Sequence, residues 1–119
     1  MSRFVEKPWG SELIWTNTDR YVGKLITVNE GARLSLQFHH HKDESIYVIE
    51  GTLNLHLEND DGEVEQLKMG PGEFQRIETG RIHRFEAITD VKLIEVSTSE
   101  LDDVVRLEDD YGREGTTAP

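Results

Sequence analysis

The sequence predicts an all-β protein made of many short strands, folded as a sandwich or a closed barrel. Turn-forming residues recur about every ten positions, which is typical of such folds. These turns are Asn29-Glu30-Gly31, Glu50-Gly51, Asn59-Asp60-Asp61-Gly62, Gly70-Pro71-Gly72 and Thr79-Gly80. The runs between them are rich in β-branched and aromatic residues, and before the tail none shows an apolar stripe of helical period and length. Jelly-roll barrels are one common form of this architecture.

Each run between two turns is predicted to be one strand. The run at 53–58 alternates most clearly, with three leucines on one face and Asn54, His56 and Glu58 on the other. We expect His56 to be exposed for this reason. The predicted strands are Glu12–Trp15, Tyr21–Val28, Arg33–His39, Ser45–Glu50, Leu53–Glu58, Val64–Leu67, Glu73–Ile77, His83–Ile88 and Val91–Ser97. We expect Gly51, Gly72 and Gly80 to adopt positive φ in turns.

The tail from Ser99 onward has a different pattern. Its apolar residues have roughly helical spacing and are followed by helix-stopping residues; they are Leu101, Val104, Val105 and Leu107, then Gly112, Gly115 and Pro119. We expect a short docked segment through about Tyr111 and a frayed end over 114–119. The whole chain, 1–119, is read as a single domain with its core at about 7–113.

The composition narrows the classes of function. A net charge of -11 disfavours binding to nucleic acid or to an anionic membrane. The chain has no apolar run long enough to span a bilayer and no signal-like start, so we expect a cytoplasmic protein. It contains no cysteine. A metal would therefore bind to histidine, carboxylate or amide oxygen, which suits Zn, Mn, Fe, Co or Ni.

The stretch from Arg33 to Glu44 holds the most informative polar residues. On a strand, Gln37 and His39 share one face with Ser35, and His41 extends that face, whereas Leu34, Leu36 and Phe38 share the other. If the polar face lines a barrel interior, these donors point into a pocket, with Glu44 nearby at the start of the next strand. His83 opens a later strand after the Gly80 turn and can supply a further donor. The pattern predicts a divalent-metal site.

Two spaced motifs resemble those of the cupin superfamily. Gly31-x5-Gln37-x-His39-x4-Glu44-x6-Gly51 is similar to the first cupin motif, with Gln37 at the usual place of a histidine. Gly72-x5-Glu78-x-Gly80-x2-His83 is similar to the second, with Glu78 in place of a proline and Ala87 in place of an asparagine. Further segments resemble the C-terminal cupin domain of type II mannose-6-phosphate isomerases: Lys7-Pro8-Trp9-Gly10, Ala32 to Gln37, His39-His40-His41 and Val105 to Arg113.

This resemblance implies a jelly-roll barrel with a metal near one mouth. Type I mannose-6-phosphate isomerases, which are also cupins, bind zinc through a glutamine, a histidine, a glutamate and a second histidine. In type and order that set is similar to Gln37, His39, Glu44 and His83, with His41 as the reserve ligand. The implied reaction interconverts mannose 6-phosphate and fructose 6-phosphate. The alternatives are a non-catalytic cupin that binds a sugar or another small molecule, and another metal-dependent cupin enzyme such as a dioxygenase.

The remaining functional residues are assigned by chemistry alone. Arg33, Arg76 and Arg84, with Lys24, are candidate ligands for the phosphate of a sugar phosphate. A general base must move a proton between C1 and C2, and His41, Glu78 or Glu86 could serve. Cupins commonly pair through edge strands and swapped N-terminal segments, so the resemblance and the apolar N-terminal residues Phe4, Val5 and Trp9 favour a homodimer.

Overall fold

Eleven strands make up the regular structure of the computed structural model, which describes residues 2–100 and 102–115. The strands are β1 (Arg3–Lys7), β2 (Gly10–Asn17), β3 (Tyr21–Val28), β4 (Leu36–Phe38), β5 (Glu44–Glu50), β6 (Leu53–Glu58), β7 (Val64–Met69), β8 (Phe74–Ile77), β9 (His83–Ala87), β10 (Val91–Thr98) and β11 (Val105–Glu108). Within these ranges the chain forms no helix, and therefore none that could cross a membrane.

The strands form two antiparallel sheets. The six-stranded sheet has the order β1-β2-β3-β10-β5-β8, and the five-stranded sheet has the order β11-β4-β9-β6-β7. Chain neighbours such as β4 and β5 lie in different sheets, so the chain repeatedly crosses from one sheet to the other. This is the double-sheet arrangement of a jelly roll, and the all-β prediction is confirmed.

The core fills the space between the sheets, as the strand alternation requires. Leu53, Leu55 and Leu57 of β6 point inward, and their neighbours point outward. Trp9 is buried in the same apolar cluster. His56 is not exposed as predicted: its side chain is only 14% accessible because Nε2 contacts Glu86 Oε1 at 2.9 Å on the outward face.

Three elements differ from the prediction. β1 adds an N-terminal strand that pairs with β2 of the same chain. The short docked segment expected in the tail is a strand, β11, because the free edge of β4 offers its backbone hydrogen bonds to this part of the chain. The predicted strand over 33–39 shortens to β4, preceded by a single bridge from Arg33 to Glu86. Leu34 therefore leaves the face it would share with Leu36 and packs in the core.

Glycine is sterically required at the turn between β5 and β6. Gly51 has φ of 84°, and a Cβ added there would lie 1.9 Å from the carbonyl oxygen of Asp90. Gly72 and Gly80 also have positive φ, as predicted. Gly31 has a similar φ of 79°, but no atom lies within 4 Å of its added Cβ. A side chain at Gly31 would therefore strain only the backbone, whereas a side chain at Gly51 would also overlap a neighbouring atom.

Candidate metal centre

The residues of the predicted metal site converge at one end of the two sheets. Gln37 lies in β4 and faces His83 of β9 as its cross-strand partner, so both side chains point to the same side of the five-stranded sheet. His39 follows directly after β4. Glu44 begins β5 in the opposite sheet. The site is therefore assembled from both sheets.

Three of these side chains form a buried cluster. Glu44 Oε1 lies 3.1 Å from His39 Nε2 and 3.0 Å from His83 Nε2. One donor atom from each residue lies within 4.8 Å of the other two. In a tetrahedral zinc site with bonds of about 2.1 Å, donor atoms are about 3.4 Å apart, so this spacing suits a small divalent ion.

The hydrogen bonds of the two histidines fix which nitrogen faces the cluster. His39 Nδ1 contacts the carbonyl oxygen of Asp103 at 2.5 Å, and His83 Nδ1 contacts that of Arg81 at 2.8 Å. Because a carbonyl only accepts, each Nδ1 must donate, and each neutral ring then presents the lone pair of Nε2 to Glu44. Within the described residues, His83 Nε2 has no hydrogen-bond partner of its own. Two lone pairs and a carboxylate directed at one point fit a bound cation.

Asp103 holds the loop that carries this geometry. Its carboxylate accepts the backbone N–H groups of His40, His41 and Lys42 at 3.0, 2.7 and 3.0 Å. Partial burial raises the pKa of this carboxyl, but the three N–H donors outweigh it and lower the pKa to about 2. Asp103 thus fixes the loop with its side chain and orients His39 with its carbonyl oxygen. No motif in the sequence identifies it.

His41 and Gln37 have different positions relative to the cluster. His41 is exposed on the loop, where its carbonyl oxygen accepts the Thr79 hydroxyl at 3.0 Å, and it is not one of the three clustered residues. Gln37 Oε1 lies 3.4 Å from Ser35 Oγ, and both residues line the cleft that opens beside His39. Gln37 therefore lies on the cleft side with His39, whereas His41 faces solvent.

The cleft beside His39 has an unusually basic lining for an acidic chain. Trp9, Ile26 and Leu34 supply apolar wall, and Lys24 pairs with Glu12 at 2.9 Å. The cations that line it are Lys7, Lys24, Lys42, Arg106 and Arg113, against the two acids Glu12 and Glu95. An anionic ligand would therefore be attracted to this cleft.

A buried charge network joins the cleft to the cluster. Lys42 Nζ lies 3.6 Å from Glu44 Oε2 and 3.3 Å from Glu95 Oε2. Burial and then the charge of Glu44 raise the pKa of Glu95 to about 8. Burial also works against ionisation of Glu44, but the charge of Lys42 and then the contact from Glu95 hold its pKa well below the usual range. The ionised Glu44 is thus available as a metal ligand.

The three arginines selected from the sequence lie outside this cleft. Arg33 pairs with Asp110 through two contacts of 2.7 and 2.9 Å, and the exposed Arg76 pairs with Asp43. Arg84 Nε donates to the carbonyl oxygen of Leu34 at 2.9 Å. Arg84 follows the inward-facing His83, so it must face outward. Of the four phosphate ligands proposed from the sequence, Lys24 is the one that lines the cleft.

The acids suggested as a general base are also elsewhere. Glu78 is exposed beside Arg81, at 3.7 Å, and Glu86 binds His56 on the outward face of β9. Sequence reasoning missed Lys7, Lys42, Glu95 and Arg106. The sequence gives a partial signal for such a group of buried charges. Lys24 occupies the inward face of β3 between Val22 and Ile26, where a charged residue needs a partner or a ligand.

Solved structures share this double-sheet architecture. KdgF from Halomonas sp. superposes with a TM-score of 0.73 at 19% identity, over 82% of this chain and 88% of that one. Oxalate decarboxylase from Bacillus subtilis gives a TM-score of 0.76 at 18% identity, over 90% of this chain and 30% of that one. The chain therefore has the cupin fold, a double-sheet jelly roll.

The sequence places the chain more narrowly. It belongs to the family described as "Mannose-6-phosphate isomerase C-terminal", whose model matches residues 1–109. The mannose-1-phosphate guanylyltransferase ManC of Salmonella typhimurium is 41% identical over 118 residues, and the xanthan biosynthesis protein XanB of Xanthomonas campestris is 39% identical over 116. These matches cover 95% and 93% of this chain but 24% of each relative. The chain thus spans about a quarter of the length of these relatives.

Proposed function

We propose that this cupin binds a divalent metal through His39, Glu44 and His83, with Gln37 beside them, and isomerises an aldose phosphate such as mannose 6-phosphate. The observation that carries the proposal is the pair of Nε2 lone pairs directed at a buried carboxylate next to a basic cleft. The family description supports the choice of substrate. When bound, the metal would supply Lewis-acid polarisation of the sugar oxygens at C1 and C2.

The basic cleft would bind the phosphate. Lys7, Lys24, Arg106 and Arg113 line it together with His39, so an anion held there lies beside the cluster. Arginine presents a planar pair of donors that matches two phosphate oxygens, and lysine adds a compact positive charge. These residues replace the outward-facing Arg33, Arg76 and Arg84 as the proposed phosphate ligands.

The proton transfer between C1 and C2 needs a group inside the cleft. Glu12 and Glu95 are the carboxyl groups among the described residues that line it without being proposed ligands. Glu12 is held by Lys24, and Glu95 by Lys42. Either position would let a carboxylate take a proton from one carbon and return it to the next. The apolar wall formed by Trp9 and Ile26 would limit the access of water to the sugar.

A coupled assay with metal-loaded protein tests the proposal. Mannose 6-phosphate should be converted to fructose 6-phosphate by the chain loaded with Zn, Mn, Co, Ni or Fe(II). The Glu44→Gln variant should lose turnover, whereas His56→Ala, which changes a histidine on the opposite face of its sheet, should keep it. Metal-loaded protein that binds mannose 6-phosphate without converting it would reject the isomerase and support the non-catalytic binding cupin.

A further inference from the structure

The lysines that line the cleft differ in their acidic partners. Lys24 pairs with Glu12 at 2.9 Å, and Lys42 lies 3.3 Å from Glu95. Among the described residues, no ion pair or hydrogen bond holds the amine of Lys7. An amine that is paired with a carboxylate stays protonated, whereas an unpaired amine can lose its proton and react. Lys7 is therefore the lysine of the cleft that is available as a nucleophile.

The strand pattern of β1 directs Lys7 towards the cleft. Val5 and Lys7 are partly buried and the residue between them, Glu6, is exposed, so the alternation places Lys7 on the inner side of the strand. Strand pairing continues to the last residue of β1, where Lys7 lies opposite Gly10. The side chain of Lys7 therefore lines the cleft, as does His39 of the metal cluster.

The surroundings of Lys7 favour its neutral, reactive form. Burial is the largest cause that lowers the pKa of Lys7, and the charge of Glu12 on β2 works against it. Cations from β3, the tail and β11 lower this pKa further, and they are Lys24, Arg113 and Arg106. More of the amine is therefore unprotonated at neutral pH than in an ordinary lysine. A lysine that is desolvated beside other cations becomes a nucleophile in this way.

We propose that Lys7 forms an imine with small phosphorylated aldehydes that are held in the cleft. The lone pair of the lysine nitrogen attacks the carbonyl carbon and forms the C–N bond. The carbonyl oxygen then leaves as water with the two hydrogens of the amine, which gives a C=N double bond without an oxidant or a reductant. The proposal rests on the anion-attracting cleft of the proposed function, but it requires neither a bound metal nor isomerisation.

The cleft selects the chemical class of the aldehyde. Its cations attract a phosphate group and so concentrate the attached aldehyde beside the amine. The bound phosphate offsets part of the cation repulsion at Lys7, but burial, the largest cause of its lowered pKa, remains. An aldehyde too short to close into a sugar ring always presents its carbonyl, so three-carbon phosphorylated aldehydes fit better than hexose phosphates. An imine at Lys7 would also block the cleft for a sugar phosphate.

Labelling with pyridoxal 5′-phosphate, which carries an aldehyde and a phosphate on one small ring, tests this inference. The metal-free chain is incubated with the probe, imines are reduced with borohydride, and labelled lysines are located by peptide mass spectrometry. Lys68 is the internal control, since it is an exposed strand lysine outside the cleft. Lys7 should be labelled about tenfold faster than Lys68, the lower end of the gain that a focused positive field gives to an anion. Inorganic phosphate should suppress the labelling of Lys7 and leave that of Lys68 unchanged.

A pair of matched variants completes the test. Lys7→Arg keeps the positive charge but removes the amine and should abolish the phosphate-sensitive label, whereas Lys68→Arg should retain it. Equal labelling of Lys7 and Lys68, faster labelling of another lysine, or labelling of Lys7 that phosphate does not suppress would overturn the proposal. The mapping of the unaltered chain decides the question even if circular dichroism shows that Lys7→Arg does not fold. Failure here would leave the isomerase proposal standing, because turnover depends on the metal cluster and this labelling does not.

Discussion

Replacing Lys42 by methionine would test the buried charge network that supports the candidate metal centre. Lys42 is almost fully buried, and its ammonium group contacts Glu44 and Glu95, which are equally buried. Methionine keeps much of the volume and removes the charge. The variant leaves Glu44 ionised in the interior without its neighbouring cation.

The expected loss of stability follows from these distances. At 3.6 Å and an effective dielectric constant of about 20, the attraction between Lys42 and Glu44 is about 4.6 kcal/mol. Part of this lost attraction is offset, because the variant no longer has to desolvate the lysine ammonium group. Removal of one partner from a buried ion pair typically costs about 3–5 kcal/mol. Glu95, whose pKa is about 8, is mostly neutral at pH 7 and adds little repulsion. We therefore expect a loss of about 3 kcal/mol.

Calorimetry of metal-free protein would measure this loss. With an unfolding entropy of about 2.1 cal/mol/K per residue, about 3 kcal/mol corresponds to a fall in Tm of about 12 °C at pH 7. The folded-state pKa of Glu95 lies above its ordinary value, so its contribution to stability falls as pH rises to about 8. The deficit of Lys42→Met should therefore be larger at pH 9 than at pH 6.

The control is Lys68→Met, which removes an exposed lysine from β7 and should shift Tm by no more than a degree or two. A Lys42→Met variant that melts within two degrees of the unaltered chain at both pH values would refute the charge network described here.

Three further predictions concern the loop, a turn and the cleft. Asp103→Ala should lower the free energy of unfolding by about 2 kcal/mol in urea denaturation at pH 7, since three backbone N–H groups lose their acceptor. Because the pKa of Asp103 is lowered to about 2, this loss should shrink as pH falls from about 4 towards 2, and a loss independent of pH would contradict the prediction. Gly51→Ala should lower stability by more than about 3 kcal/mol in thermal denaturation, and Gly31→Ala by about 1 kcal/mol. Both variants strain the backbone, but only the alanine at position 51 also overlaps the carbonyl oxygen of Asp90. Equal losses in the two variants would refute this role of steric overlap. Arg113→Gln should weaken phosphate binding about tenfold by calorimetry while Arg76→Gln leaves it unchanged, and the reverse order would remove the cleft as the phosphate site.

Local pattern determined the strands well where both ends were marked by turns. Tyr21–Val28 and Leu53–Glu58 have the predicted bounds. In both, an alternation of period two identifies a strand, and the turn at each end fixes where the strand begins and ends. For the tail segment that became β11, the sequence predicted a short docked segment but not that it would be a strand. Its few apolar residues fit either period, and its pairing with β4 depends on contacts that are distant in sequence.

Some residues of the candidate site could likewise be selected from the sequence, and others could not. His39 and Glu44 could be selected from spacing, since a strand and a short turn fix their separation. The choice of cations could not, because Arg33 and Lys7 are chemically similar and only the sheet arrangement sends one to Asp110 and the other into the cleft. Arg84 is an exception: as the neighbour of inward-facing His83 it had to face outward. Asp103 joins the site through backbone contacts, which sequence spacing does not reveal.

Calorimetric titration of the metal-free chain with Zn²⁺ tests the metal centre most directly. The geometry of His39, Glu44 and His83 predicts one ion bound per chain, with loss of that binding in Glu44→Gln and its retention in His56→Ala. Zinc binding of equal affinity in Glu44→Gln, or none in the unaltered chain, would contradict the assignment.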